Sequence, residues 1–286
     1  MTRFEQVIVA IISVSVVCGF VISNQSEHAQ THSESSESQA AAAQPATVKT
    51  APQDAGIAKT AKKPAYIAPS KKQFYQSLLP FIERENNAIT ALRSDLKKIH
   101  TQLGAGNQVS DQQSALLLTL SKTYRVKPNK TPASQTVNSD QITVEKLLVK
   151  IDHIPASLVL SQSANESAWG RSRFATEANN YFGIWCFKPG CGVVPSGRPA
   201  KATYEVTRYQ SVSHSVTAYF RNINSHPAYS QLREIRAELR HKDEPITGAA
   251  LAGGLEHYSA RGDAYIEELR AMIRYNKLEG ITLQSL

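Results

Sequence analysis

The sequence predicts a mainly α domain, α+β by class, in which a series of helices is interrupted once by a small irregular β-lobe. Three observations carry that prediction. Apolar residues recur at three- and four-residue spacing over most of residues 71–286. A single stretch after Gly170 is instead dense in Asn, Gly, Pro and aromatic residues. Residues 24–70 carry almost no large apolar groups, so they cannot bury enough surface to offset the entropy of ordering.

The elements follow in order. Residues 7–22 form an unbroken, weakly polar run behind Arg3, which reads as a secretory signal over residues 1–23, either cleaved or kept as an inner-membrane anchor. At about 16 residues the run is short of the roughly 20 that a full span requires. Residues 24–70 form a tether, extended by Pro45, Pro52, Pro64 and Pro69. Phe74, Leu78, Phe81 and Ile82 open a helical pattern that runs through Leu92 toward Leu103, with Pro80 expected to kink or restart it. Leu116, Leu117, Leu120 and Tyr124 mark a second helix, and Val144, Leu147, Leu148 and Ile151 a third. Pro155 suits the first turn of the next, Leu158, Val159, Leu160 and Ala164 form its body, and Gly170 offers a left-handed stop.

Beyond Gly170, residues 203–209 alternate with β-propensity and predict a short strand. Helical periodicity returns over residues 211–224, 229–239, 249–257 and 263–275, with Asp263 as a cap and Gly280 as a stop for the last.

Charge and cysteines narrow the function. The net charge is +8 and the pI near 9.3, suited to an anionic partner. The basic residues are scattered and no nucleic-acid motif occurs, so an anionic cell envelope fits better than nucleic acid. Cys18 belongs to the apolar run. Cys186 and Cys191 flank a Pro189-Gly190 turn, and in an exported chain such a pair predicts a local disulfide. No second Cys/His pair stands at zinc spacing, the histidines form no triad, and no cofactor motif appears, so neither metal nor cofactor is expected.

Glu166 is the candidate general acid. It falls near a helix C-terminus, among orphan carbonyls and beside Trp169, where ionisation is disfavoured and the pKa rises. A carboxylic acid still protonated near neutral pH can protonate the leaving oxygen of a glycoside. The Asn- and aromatic-rich stretch supplies what a sugar cleft needs: Trp169, Tyr181 and Trp185 as faces for pyranose rings, Asn179 and Asn180 as partners for hydroxyl or acetamido groups. Glu205, on the predicted strand, is the candidate second carboxylate across the groove, ahead of Glu177 and Asp263.

Two motifs in order, Ala164-Asn165-Glu166-Ser167-Ala168-Trp169-Gly170 and Asn179-Asn180-Tyr181-Phe182-Gly183-Ile184-Trp185, resemble the signature of family 73 glycoside hydrolases. These are lysozyme-like N-acetylglucosaminidases that cut peptidoglycan. The Cys186–Cys191 insertion and the helices from Lys71 narrow the resemblance to a bacterial subset of that family, and it covers roughly residues 71–286. It implies a lysozyme-like helical domain with a small β-lobe, peptidoglycan glycan strands as partner, and a periplasmic or envelope location. By the same resemblance Glu166 matches the catalytic acid, Glu205 the second acidic position and Tyr258 a cleft tyrosine, catalytic through an N-acetyl group or developing charge. Two alternatives stand beside the hydrolase. One is a lytic transglycosylase, which needs a single essential Glu, and the other a non-catalytic peptidoglycan-binding or adaptor protein.

Overall fold

The computed structural model describes residues 70–127 and 139–285. The expected export segment (1–23) and the tether (24–70, except Ser70) therefore lie outside the described residues. No helix among the described residues is long and apolar enough to cross a membrane. The domain is mainly helical with one small three-stranded sheet, and it divides into two compact units.

Helix α1 (Lys71–Gly104) is shared between them, residues 71–86 falling in one unit and 87–104 in the other. It runs through Pro80 without the restart that the sequence suggested. Pro80 lies on the exposed face, so water can satisfy the carbonyl that loses its ladder partner.

The smaller unit joins the second half of α1 to α2 (Asp111–Thr123) and α3 (Ser139–Lys150). Ser110 and Gln113 form a reciprocal capping box at the start of α2. Leu92, Leu96, Ile99, Leu116, Leu117, Leu120, Val144 and Leu147 are buried. The Arg93 guanidinium donates to the carbonyls of Leu148 and Ile151 and lies 3.3 Å from Asp152, which secures the end of α3.

The larger unit is built on α4 (Ala156–Ser167). Leu158, Val159 and Leu160 are fully buried, each stabilising by about 1.5–3 kcal/mol. Ser157, Ser161, Ser163 and Ser167 are buried beside them. Ser161, Ser163 and Ser167 donate their hydroxyls to carbonyls of their own helix, so no donor is stranded. After α4 come α5 (Arg173–Ala178) and strands β1 (Trp185–Cys186), β2 (Gly192–Val193) and β3 (Glu205–Thr207), antiparallel in the order β1-β3-β2. The predicted strand over 203–209 thus shortens to three residues.

Helices α6 (Val212–Ser225), α7 (Ser230–His241), α8 (Gly248–Ala252) and α9 (Asp263–Tyr275) complete the unit, and α8 and α9 pack on α4. A Cβ on Gly248 would lie 2.3 Å from Ser157 Oγ, so only glycine permits this approach of α8 to α4. Helix α8 is shorter than predicted, because Gly253-Gly254 ends it. Two predicted boundaries of α9 are corrected. Asp263 is its first residue and makes no capping bond, with Gly262 in the cap position. Its end is closed at Lys277 (φ 50°) rather than Gly280. Leu278 N–H bonds Ile273 O at 3.0 Å and Lys277 N–H bonds Arg274 O at 3.1 Å, while Leu278 and Ile273 bury their side chains.

Candidate active site

Helix α4 ends in a tight reversal of three left-handed residues, Ala168 (φ 49°), Trp169 (φ 59°) and Gly170 (φ 76°). The stop begins at Ala168, ahead of the glycine that the sequence pointed to. Trp169 N–H bonds Ala164 O at 2.9 Å, and Gly170 N–H bonds Ser167 Oγ at 2.7 Å, so the reversal is held from inside. It turns the Trp169 indole onto the first turn of α1, with ring centroids 5.7 Å from Phe74 and 5.6 Å from Tyr75, and with Lys71 Nζ 4.7 Å above the ring.

Glu166 occupies the last turn of α4 and is half-buried. Burial pushes its carboxyl above the ordinary value of 4.5. The hydroxyl of Tyr265 on α9 opposes that shift by donating to Glu166 Oε1 at 2.8 Å, Glu268 adds to it, and Arg261 reduces it. Tyr265 is itself buried, and accepts at 3.1 Å from the amide of Gln162, one helical turn before Glu166 on the same face of α4. Gln162 Oε1 in turn accepts the hydroxyl of Tyr219 on α6 at 2.6 Å. Burial drives the hydroxyls of Tyr219, Tyr258 and Tyr265 well above their ordinary range, so all three are neutral donors.

The loop that follows α5 passes over the other carboxylate oxygen. Gly183 (φ 63°) lies there, where an added Cβ would be 3.7 Å from Glu166 Oε2. A longer side chain at this position would cover the carboxyl, and the positive φ favours glycine in any case. Two groups hold the loop. Tyr258 donates to Phe182 O at 2.9 Å and stacks on Tyr265 with centroids 5.5 Å apart. Asn180 is buried within the loop, donating to the carbonyls of Ile184 and Thr207 and accepting from the N–H groups of Phe182 and Ile184. Asn179 (φ 52°) donates to Tyr209 O at 2.9 Å. Both amides expected to meet a sugar are therefore engaged with the protein's own backbone. Tyr181 stacks on Phe74 at 6.1 Å, and Trp185, half-buried on β1, stacks on Tyr204 at 4.2 Å.

The second carboxylate has a different setting. Glu205 opens β3 opposite Cys186, and its oxygens accept the N–H groups of Gly190 at 2.9 Å and Gly192 at 2.7 Å, with Arg198 Nη1 4.0 Å away. Those two backbone bonds hold its pKa below the ordinary value. Gly190 and Gly192 flank Cys191, which is joined to Cys186 in the predicted disulfide. These two cysteines and Glu205 form a close group of metal-ligand types, but bonded sulfurs offer no thiolate to a metal. The structure thus brings Glu166 together with Tyr265, Gln162, Tyr219, Tyr258 and Gly183, and gives Glu205 partners inside the lobe. Of the first set, the sequence had pointed only to Glu166 and Tyr258.

A family profile described as glucosaminidase, mannosyl-glycoprotein endo-beta-N-acetylglucosaminidase, matches residues 144–278, from within α3 through α9. Protein Bax of Escherichia coli (strain K12) is 37% identical over 209 residues, which cover 73% of this chain and 70% of that protein. No solved structure matches the chain.

Proposed function

This chain belongs to the glucosaminidases of glycoside hydrolase family 73, a family of peptidoglycan endo-β-N-acetylglucosaminidase type, and from that membership we propose that it cleaves peptidoglycan glycan strands with Glu166 as general acid. The observation that carries the proposal is the half-buried Glu166 carboxyl, raised in pKa at the end of a buried helix and gripped on one oxygen by Tyr265. A protonated Glu166 gives its proton to the glycosidic oxygen as the bond to the anomeric carbon breaks and an oxocarbenium-like centre forms. The leaving sugar departs as an alcohol, and water completes the hydrolysis.

Help for that second half could come from Glu205 or from the substrate's own acetamido oxygen. Both Glu205 oxygens already accept backbone N–H groups, which favours the acetamido group and leaves Glu205 to hold the lobe. Tyr258 holds Gly183 beside the acid through the Phe182 carbonyl. Tyr181 and Trp185 are the proposed rings for sugar contact. The site of action is the cell envelope, where the substrate lies and where a basic protein is attracted to an anionic polymer.

Purified sacculi test the assignment. Glu166→Gln is expected to lower release of new reducing ends by about 100- to 10,000-fold with the fold intact. Full activity in that variant would overturn it. The engaged Glu205 also favours a second reading, a lytic transglycosylase acting through one carboxylate. Mass spectrometry separates the two, because that reaction leaves anhydro-sugars with no new reducing end.

A further inference from the structure

Three fully buried polar side chains lie behind Glu166, and the reaction just described draws on only the last of them, Tyr265. Tyr219, Gln162 and Tyr265 form a single chain of hydrogen bonds that ends on Glu166 Oε1. Its direction is determined by counting protons. Among the described residues the Tyr219 hydroxyl bonds only Gln162 Oε1, so the amide oxygen must face Tyr219 and the NH2 must face Tyr265. Turning the amide over would leave the Tyr219 proton with no acceptor among the described residues. With the amide NH2 donating to its oxygen, Tyr265 has one proton left to place, and Glu166 Oε1 receives it.

We propose that Tyr219, Gln162 and Tyr265 are positioning residues whose one-way hydrogen-bond chain keeps the acidic proton of Glu166 on Oε2, the oxygen turned toward Gly183. In a neutral carboxyl group the carbonyl oxygen is the better acceptor, so it settles opposite Tyr265 and the O–H falls on the other oxygen. A reversed chain would present a Tyr265 lone pair to Oε1 and draw the acidic proton inward, away from substrate. When Glu166 releases its proton from Oε2, the charge spreads to Oε1, and the bond from Tyr265 becomes charge-assisted. The inference rests on Glu166 as the acid, and adds which oxygen is loaded and what loads it. The other groups that act on Glu166 are Glu268 and Arg261, paired with each other at 2.7 Å, and the neutral Tyr229 and Tyr258.

The test uses Tyr265→Phe, Gln162→Leu and Tyr219→Phe in the full chain. Gln162→Met replaces the second variant if it fails to fold. Two quantities are measured: the pH profile of kcat/KM on sacculi, and the titration of Glu166 by carbon NMR of labelled glutamate. Losing the Tyr265 donor destabilises the carboxylate, so the alkaline limb moves to higher pH and kcat/KM falls about 10- to 100-fold. Tyr219→Phe frees the amide to turn over, and moves the limb in the same direction by less. A purely structural role would lower kcat/KM at every pH with the limb in place, and that result in Tyr265→Phe or Tyr219→Phe overturns the inference. Should Glu166→Gln remain active, the assignment of the acid fails, while the NMR titrations still show whether the chain acts on Glu166.

Discussion

The end of α4 and the β-lobe each hold one glutamate, and the two are treated in opposite ways. Glu166 has its charge disfavoured by burial and accepts one hydroxyl. Glu205 has its charge favoured by two backbone N–H groups that flank Cys191 of the disulfide. Residue type is the same, and the sequence offered both as members of one catalytic pair. The surroundings separate them. A carboxyl whose charge is disfavoured holds on to a proton it can pass on, whereas one whose charge is favoured and whose oxygens are both occupied organises its loop. One ring joins the two regions. Phe74 lies against Trp169 in the reversal after Glu166 and against Tyr181 in the loop that carries Gly183.

Removing that joint is expected to have the largest effect on stability. Phe74→Ala empties a site only 1% exposed, and should cost about 3–5 kcal/mol in urea denaturation. Trp169 and Tyr181 both lose their shared partner, so the acid and the lobe loop should loosen together in hydrogen exchange. A loss below about 1 kcal/mol would mean that the two regions are held independently. Opening the disulfide acts on one side alone. The bridge closes a loop of sequence separation 5, which by loop-closure entropy stabilises by about 2 kcal/mol. With Cys186→Ser and Cys191→Ser combined, Gly190 and Gly192 should drift from Glu205, and its NMR titration should rise toward 4.5 while that of Glu166 stays in place. Equal movement of both would show that the lobe loop sets the acid's environment too.

How far the sequence foretold this contrast depends on the reach of each interaction. The helices were legible because each buries a stripe at local spacing, and Glu166 because it is one acidic residue in a buried helix that stops at once. The Cys186–Cys191 pair was legible from its short spacing and turn. Tyr265 and Tyr219 were not, since they meet Glu166 and Gln162 across 99 and 57 residues of chain, and no local period encodes such meetings. Gln162 left a usable signal: a polar residue one turn before the acid in an otherwise small or apolar helix. Asn180 has the right chemistry for a sugar, but the irregular loop leaves backbone groups unpaired, and its amide satisfies them first. Trp169 was placed beside the acid by adjacency in sequence. Three successive left-handed residues turn its ring onto α1, a contact that adjacency does not foretell.

The smallest expected effect is one of sign, and it bears most directly on the contrast between the glutamates. A carboxyl whose pKa is raised on folding binds its proton more tightly in the folded chain. For Glu166 this favours folding at pH below 4.5 and is lost as pH climbs from there through the folded value. Glu166→Gln resembles the neutral acid at every pH and can still accept from Tyr265. Its Tm should therefore match the parent in acid and exceed it near neutrality. Glu205 has the opposite linkage: its contribution is present above 4.5 and is lost as pH falls through its lowered folded value. Glu205→Gln should accordingly lower Tm near neutrality, with the difference closing in acid. Plotted as variant minus parent from acid to neutral pH, the first curve rises and the second falls. Two curves of the same slope would mean that burial and backbone bonding do not divide these carboxylates.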